Sequence, residues 1–188
     1  MLGGSFWLLW KRSRSVEIRR VALVGDSHSQ ALFPRLRPRL EAAGLEVVLQ
    51  ESKPGWSLDR FVSDGVVGRL KAVRPDLLVV SLGGNDRPQE DYETKIQAFL
   101  AAVDTLVVWN GPADTSPIAD ATVATAHDQV RNRLSTLLGP AFFDAYPWTD
   151  SGHREDGVHF GSNGYDRWAQ ALTGRLLPTS QPVLGSRP

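Results

Sequence analysis

Residues 76–86 read DLLVVSLGGND: an aspartate, an unbroken apolar run from Leu77 to Val80, Ser81 and Leu82, then two glycines ahead of Asn85 and Asp86. A run this short and apolar suits a strand buried on both faces, which is the signature of a parallel sheet covered by helices. Working back towards the N-terminus, residues 58–73 place Phe61, Val62, Val66, Leu70 and Val73 at roughly helical spacing. Residues 45–50 (LEVVLQ) form a further strand candidate. Residues 30–43 have helical composition, with Pro34 and Pro38 expected to break the helix into pieces. Residues 20–25 (RVALVG) read as the first strand. Towards the C-terminus, residues 91–103 fit a helix with Ile96, Phe99, Leu100 and Val103 inward, and residues 105–109 (TLVVW) a strand. A long helix over 119–138, a short strand over 141–145 and a closing helix over 164–177 complete the pattern. Strands alternating with helices imply right-handed crossovers and an α/β fold of about five parallel strands between two helical layers.

The chain has 188 residues, 41% hydrophobic and 22% charged, enough for one domain with a sizeable core. Its 21 basic and 21 acidic residues cancel, so net charge gives no argument for nucleic acid or a membrane surface as partner. Residues 1–40 carry eight Lys/Arg against Glu17 and Asp26, which reads as a solvated basic edge. Cysteine is absent, excluding thiol catalysis, disulfides and thiolate metal sites. The apolar run over 2–10 (LGGSFWLLW) is shorter than the roughly 20 residues that span a bilayer. Its charges, Lys11, Arg12 and Arg14, follow it, which makes a poor signal peptide. Three units are expected: an apolar and basic extension over 1–19 that offers a contact for a protein partner, a domain over 20–177, and a Pro-rich tail over 178–188. A cytoplasmic or assembly-associated location is expected over secretion.

In parallel sheets, sites form beyond the carboxyl ends of the strands. Gly25-Asp26-Ser27-His28-Ser29 follows strand one, Lys53-Pro54-Gly55-Trp56-Ser57 strand two, and Gly83-Gly84-Asn85-Asp86 strand three. Asn110-Gly111-Pro112 follows strand four, and Asp156-Gly157-Val158-His159-Phe160 lies past strand five. Each fits a part in acyl transfer. A serine hydroxyl needs a neighbouring imidazole to take its proton, and Ser27 on a tight turn after a buried strand is presented outward. Asp156 and His159, three apart, allow the carboxylate to orient the ring. The backbone N–H of Ser27, the Gly55 amide and the Asn85 side-chain NH₂ can face a developing oxyanion, each worth roughly 3–4 kcal/mol when well aimed.

The segments VALVGDSHS, KPGWS, GGND and DGVHF resemble, in order and spacing, the four sequence blocks of the SGNH (GDSL-like) hydrolases. The resemblance covers about residues 20–177 and extends to Ser162-Asn163-Gly164-Tyr165 after the histidine. It implies a flavodoxin-like three-layer α/β/α sandwich, Ser27 as nucleophile and first oxyanion donor, Gly55 and Asn85 as further donors, and Asp156 with His159 completing the triad. His28 stands where the family's name implies leucine, as in related branches, which weighs against a simple lipase. Gly55 is the only glycine in its loop, and that block is the least diagnostic of the four.

Other residues carry a bland reading beside the functional one. Asp26 is expected to hold the turn through side-chain-to-backbone bonds. His28, Trp56 and His153 are candidates for substrate contact, with helix capping for His28 and core packing for Trp56 as the alternatives. Arg154 is a candidate for lining the site, and His127 is expected to face solvent. No His/Asp/Glu cluster has metal-ligand spacing, and the glycine-rich nucleotide motifs are absent, so no metal or other cofactor is expected. The expected activity is hydrolysis of ester-linked short acyl groups, such as O-acetyl on carbohydrate, through an acyl-enzyme, with a small-molecule or glycan ester as substrate. The alternatives are a binding or structural module of the same fold on a larger assembly, and a phosphate binder using the loop at residues 25–29.

Overall fold

The structure, a computed structural model, describes residues 17–115 and 120–177. Most of the 1–19 extension and the whole 178–188 tail lie outside the described residues. The elements run β1 (Arg20–Gly25), α1 (Ser27–Ala42), β2 (Glu46–Ser52), α2 (Leu58–Ser63), α3 (Val66–Val73), β3 (Leu77–Ser81), α4 (Tyr92–Val103), β4 (Leu106–Asn110), α5 (Ala121–Leu138), β5 (Phe142–Phe143), α6 (Tyr146–Thr149) and α7 (Ser162–Leu176). The five strands form one parallel sheet in the order β2-β1-β3-β4-β5. This is the flavodoxin-like order, whose direction reverses beside β1, so the loops leaving β1 and β3 diverge and leave a crevice.

Alternation along the central strands builds a three-layer α/β/α sandwich. Ala22 and Val24 of β1, with Leu78 and Val80 of β3, pack against Phe61, Leu70, Ile96, Phe99, Val130 and Leu134 from α2 to α5. Val21, Leu23, Leu77 and Val79 face the other way, against α1 and α7. Buried polar groups stitch the layers beneath the crevice. Trp168 Nε1 donates to Asn110 Oδ1 at 2.9 Å, and Asn110 Nδ2 donates to Ser81 Oγ at 2.8 Å. The Ser81 carbonyl in turn accepts the Asp26 N–H at 3.1 Å.

Four expectations are corrected. Pro34 and Pro38 do not break α1, which runs unbroken from Ser27. Both prolines are exposed, so the carbonyls they leave unbonded face water, while Leu32, Phe33, Leu36 and Leu40 hold the opposite side on the sheet. The helix expected over 58–73 is two helices, because Gly65 at φ 76° turns the chain between them. The strand expected over 141–145 pairs only through Phe142 and Phe143. His127 is 4% exposed and faces inward from α5, three and seven residues before the core residues Val130 and Leu134.

Candidate active site

The crevice collects residues from three strand ends. β1 ends at Gly25, where a Cβ would lie 2.6 Å from the Ser81 carbonyl oxygen and 2.0 Å from Ser29 Oγ, so only glycine fits the approach of β1 to β3. Asp26 then caps α1: its carboxylate accepts the His28 N–H at 3.0 Å. Ser27 is the first residue of α1, so its backbone N–H belongs to the unsatisfied first turn, where the helix dipole favours negative charge.

Ser27 Oγ lies 3.1 Å from His159 Nε2, and His159 Nδ1 lies 3.0 Å from Asp156 Oδ2. The other oxygen of Asp156 accepts the backbone N–H groups of Val158 at 2.9 Å and His159 at 2.8 Å. These two donors and the His159 ring hold the Asp156 carboxyl well below the usual carboxylate range. An ionised carboxylate only accepts, so Nδ1 carries the proton of the neutral ring and Nε2 presents its lone pair to the Ser27 hydroxyl. The loop bearing this pair is closed by an antiparallel bridge between His153 and Phe160 and by Arg154 N–H donating to the His159 carbonyl at 2.7 Å.

Asn85 Nδ2 donates to the Trp56 carbonyl at 3.2 Å, tying the loop after β3 to the loop after β2. An amide NH₂ has two hydrogens, so one remains for a ligand. Gly55, one residue before that carbonyl, turns at φ 73°, a conformation that glycine adopts without strain. Asp86 braces the same region, accepting Leu58 N–H at 2.7 Å and Tyr92 O–H at 2.9 Å.

The three residues considered for substrate contact have partners inside the protein. His28 is 5% exposed, and its Nδ1 meets Tyr165 Oη at 3.2 Å. Its ring packs 5.2 Å from that of His159 and against Phe160 and Trp168. Burial, with the neighbouring His159, lowers its pKa to about 3, so it is a neutral packing support beside His159. Trp56 is a core residue whose Nε1 donates to Asp64 Oδ2 at 2.7 Å. His153 Nε2 bonds the Asp114 carbonyl at 2.6 Å, with its ring on Phe160. Each of the three thus has an internal partner, and the burial of His28 and Trp56 favours the packing alternatives for those two. Arg154 does line the site: a groove of about 310 Å³ beside Ser27 is walled by Gln30, Ala31, Arg154, His159 and Tyr165. Sequence reasoning missed Gln30, Ala31 and Tyr165 as groove residues. The first two lie one turn along α1 from Ser27, a spacing that could have found them.

Burial raises the Asp26 pKa to about 7, with Asp86 adding to the effect and the His28 N–H opposing it. Among the described residues no group of three His, Asp or Glu side chains is placed to hold a metal ion, and no helix is long and apolar enough to cross a membrane.

No protein-family model matches the chain, and no curated protein matches it. Solved structures do. A lipase/acylhydrolase from Enterococcus faecalis is 18% identical, with 89% of this chain and 100% of that one covered at a TM-score of 0.67. An acetylxylan esterase from Geobacillus stearothermophilus is 12% identical, covering 90% of this chain and 97% of its own at a TM-score of 0.71. The C-terminal catalytic domain of a Streptococcus pneumoniae peptidoglycan O-acetyltransferase is 16% identical, covering 86% and 94% at a TM-score of 0.60. With its parallel five-stranded sheet and flanking helices, the chain has the fold of the SGNH-type hydrolases.

Proposed function

We propose that this chain is a serine esterase that cleaves short acyl groups, such as acetyl, from a polar alcohol of the carbohydrate class. The observation that carries the proposal is the continuous hydrogen-bonded series from Ser27 Oγ through His159 to Asp156 at the carboxyl edge of the sheet. Ser27 Oγ attacks the ester carbonyl as its proton passes to His159 Nε2, and Asp156 stabilises the imidazolium that results. The tetrahedral oxyanion is met by the Ser27 and Gly55 N–H groups and by the second hydrogen of the Asn85 amide. Collapse breaks the bond to the leaving alcohol, which takes the proton from His159. Water then attacks the acyl-enzyme by the same route, releasing the acid and restoring Ser27.

The groove supports the short-acyl, polar-alcohol preference. Of its lining residues only Ala31 is aliphatic, whereas Gln30 and Arg154 carry polar side chains. An acetylxylan esterase and a peptidoglycan O-acetyltransferase among the structural neighbours act on carbohydrate-linked acetyl groups. The test is hydrolysis of p-nitrophenyl acetate, butyrate and octanoate by the wild type and Ser27→Ala. Turnover that falls with chain length and disappears in the variant is expected. Turnover undiminished in Ser27→Ala, or highest on octanoate, contradicts the proposal.

A further inference from the structure

The Gly83-Gly84-Asn85-Asp86 loop is held from both ends. Asp86 is fixed by Leu58 N–H and Tyr92 O–H, while the Gly84 carbonyl lies 2.8 Å from Nε2 of the buried His127. The other ring nitrogen of His127, Nδ1, lies 2.9 Å from Thr115 Oγ1 in the segment after β4. A carbonyl only accepts, so Nε2 carries the proton and Nδ1 accepts from the Thr115 hydroxyl. The ring is thus a bridge from α5 and Thr115 to the backbone one residue before Asn85. Burial lowers its pKa, which keeps the ring neutral and this tautomer in place.

We infer that His127, oriented by Thr115, is a positioning residue that fixes the Asn85 amide for its part in stabilising the oxyanion. The physical link is the planar peptide. The Gly84 carbonyl and the Asn85 nitrogen lie in one rigid plane, so anchoring the carbonyl sets the direction in which Asn85 leaves the loop. Two consecutive glycines give this loop more conformational freedom than any other pair of residues would. A donor aimed at developing charge is effective only when it is held before the reaction. His127 makes none of the proton transfers described above and touches none of the reacting atoms.

This inference rests on the proposed esterase function, and the experiment separates the two. kcat and KM for p-nitrophenyl acetate are measured for His127→Ala, His127→Gln, Thr115→Val, Asn85→Ala and the His127→Ala/Asn85→Ala double variant, with Ser27→Ala as control. Asn85→Ala is expected to lower kcat about 100-fold or more. His127→Ala lowers kcat about 10-fold or more at nearly constant KM, and His127→Gln, whose amide can still donate to Gly84, recovers most of the loss. In the Asn85→Ala background, His127→Ala adds less than about twofold, because the donor it serves is already gone. Thr115→Val gives a smaller loss of the same kind. Should His127→Ala fail to fold, Thr115→Val alone and combined with Asn85→Ala provides the same cycle. Full kcat in folded His127→Ala, an effect on KM alone, or equal losses with and without Asn85 overturns the inference and leaves the esterase intact. Undiminished turnover in Ser27→Ala overturns both.

Discussion

At Asp156 a single carboxylate both shapes its loop and orients the imidazole, using one oxygen for each task. Asp156→Asn keeps the size but places an amide that can donate against His159 Nδ1, favouring the tautomer whose Nε2 carries a proton and cannot accept from Ser27. A fall in kcat of about 10,000-fold with KM little changed is expected, measured by steady-state hydrolysis of p-nitrophenyl acetate. Asp26 carries a different prediction. Its pKa is raised from 3.8 to about 7, so between these values the native state holds a proton that the unfolded chain has lost. Stability therefore declines as pH rises through that window, by up to about 4 kcal/mol. Asp26→Asn removes this contribution, so urea unfolding should show the variant gaining on the wild type from pH 5 to pH 8. An unchanged difference between the two pH values contradicts the assignment. Ser27, Asn85, Asp156 and His159 were legible as candidates in the sequence because each follows a strand end and has a side chain suited to one task in acyl transfer. His127 was not, although its spacing to Val130 and Leu134 already placed it on the inward face of α5. Hydrophobicity assigns an imidazole to solvent, and only the structure reveals the two partners that make burial acceptable.

Among the elements, α1 departs furthest from expectation, and its prolines make it testable. Pro34 removes one backbone hydrogen bond from the exposed side of a helix whose other side is firmly packed. Pro34→Ala restores that bond, offset by the greater freedom of the unfolded chain, and should stabilise the protein by about 1–2 kcal/mol in denaturant titration. A lower unfolding midpoint would show that the ring itself supports the helix. Gly25→Ala should act in the opposite direction, costing about 2 kcal/mol or more, because a Cβ there meets the backbone oxygen of Ser81 as well as the Ser29 side chain. The strands were readable because continuous apolar runs of about five residues have few alternatives. The division between α2 and α3 was not, since the apolar spacing from Phe61 to Leu70 continues across Asp64 and Gly65. The brevity of β5 was equally hidden, because pairing depends on how far the partner strand β4 extends.

For the molecule as a whole, chain order and strand order together place the site. Reversal of winding beside β1 brings the loops after β1, β2 and β3 to one edge, and the chain after β5 returns through α6 to lay the Asp156–His159 loop over Ser27. This architecture followed from the alternation of segments, while the groove beside Ser27 did not, because its walls come from α1, α7 and the loop between α6 and α7. Proton transfer through His159 and donation from backbone and amide N–H groups account for every step of the proposed reaction. Dialysis against EDTA should accordingly leave turnover of p-nitrophenyl acetate unchanged, and loss restored by a divalent ion would require a different mechanism. The most direct test of the central claim is intact-protein and peptide mass spectrometry after treatment with a fluorophosphonate. One covalent adduct mapped to Ser27, absent in Ser27→Ala and slowed severely in His159→Ala, is the expected result. Folded protein that takes up no adduct, or takes it up at another residue, contradicts an activated serine at this site.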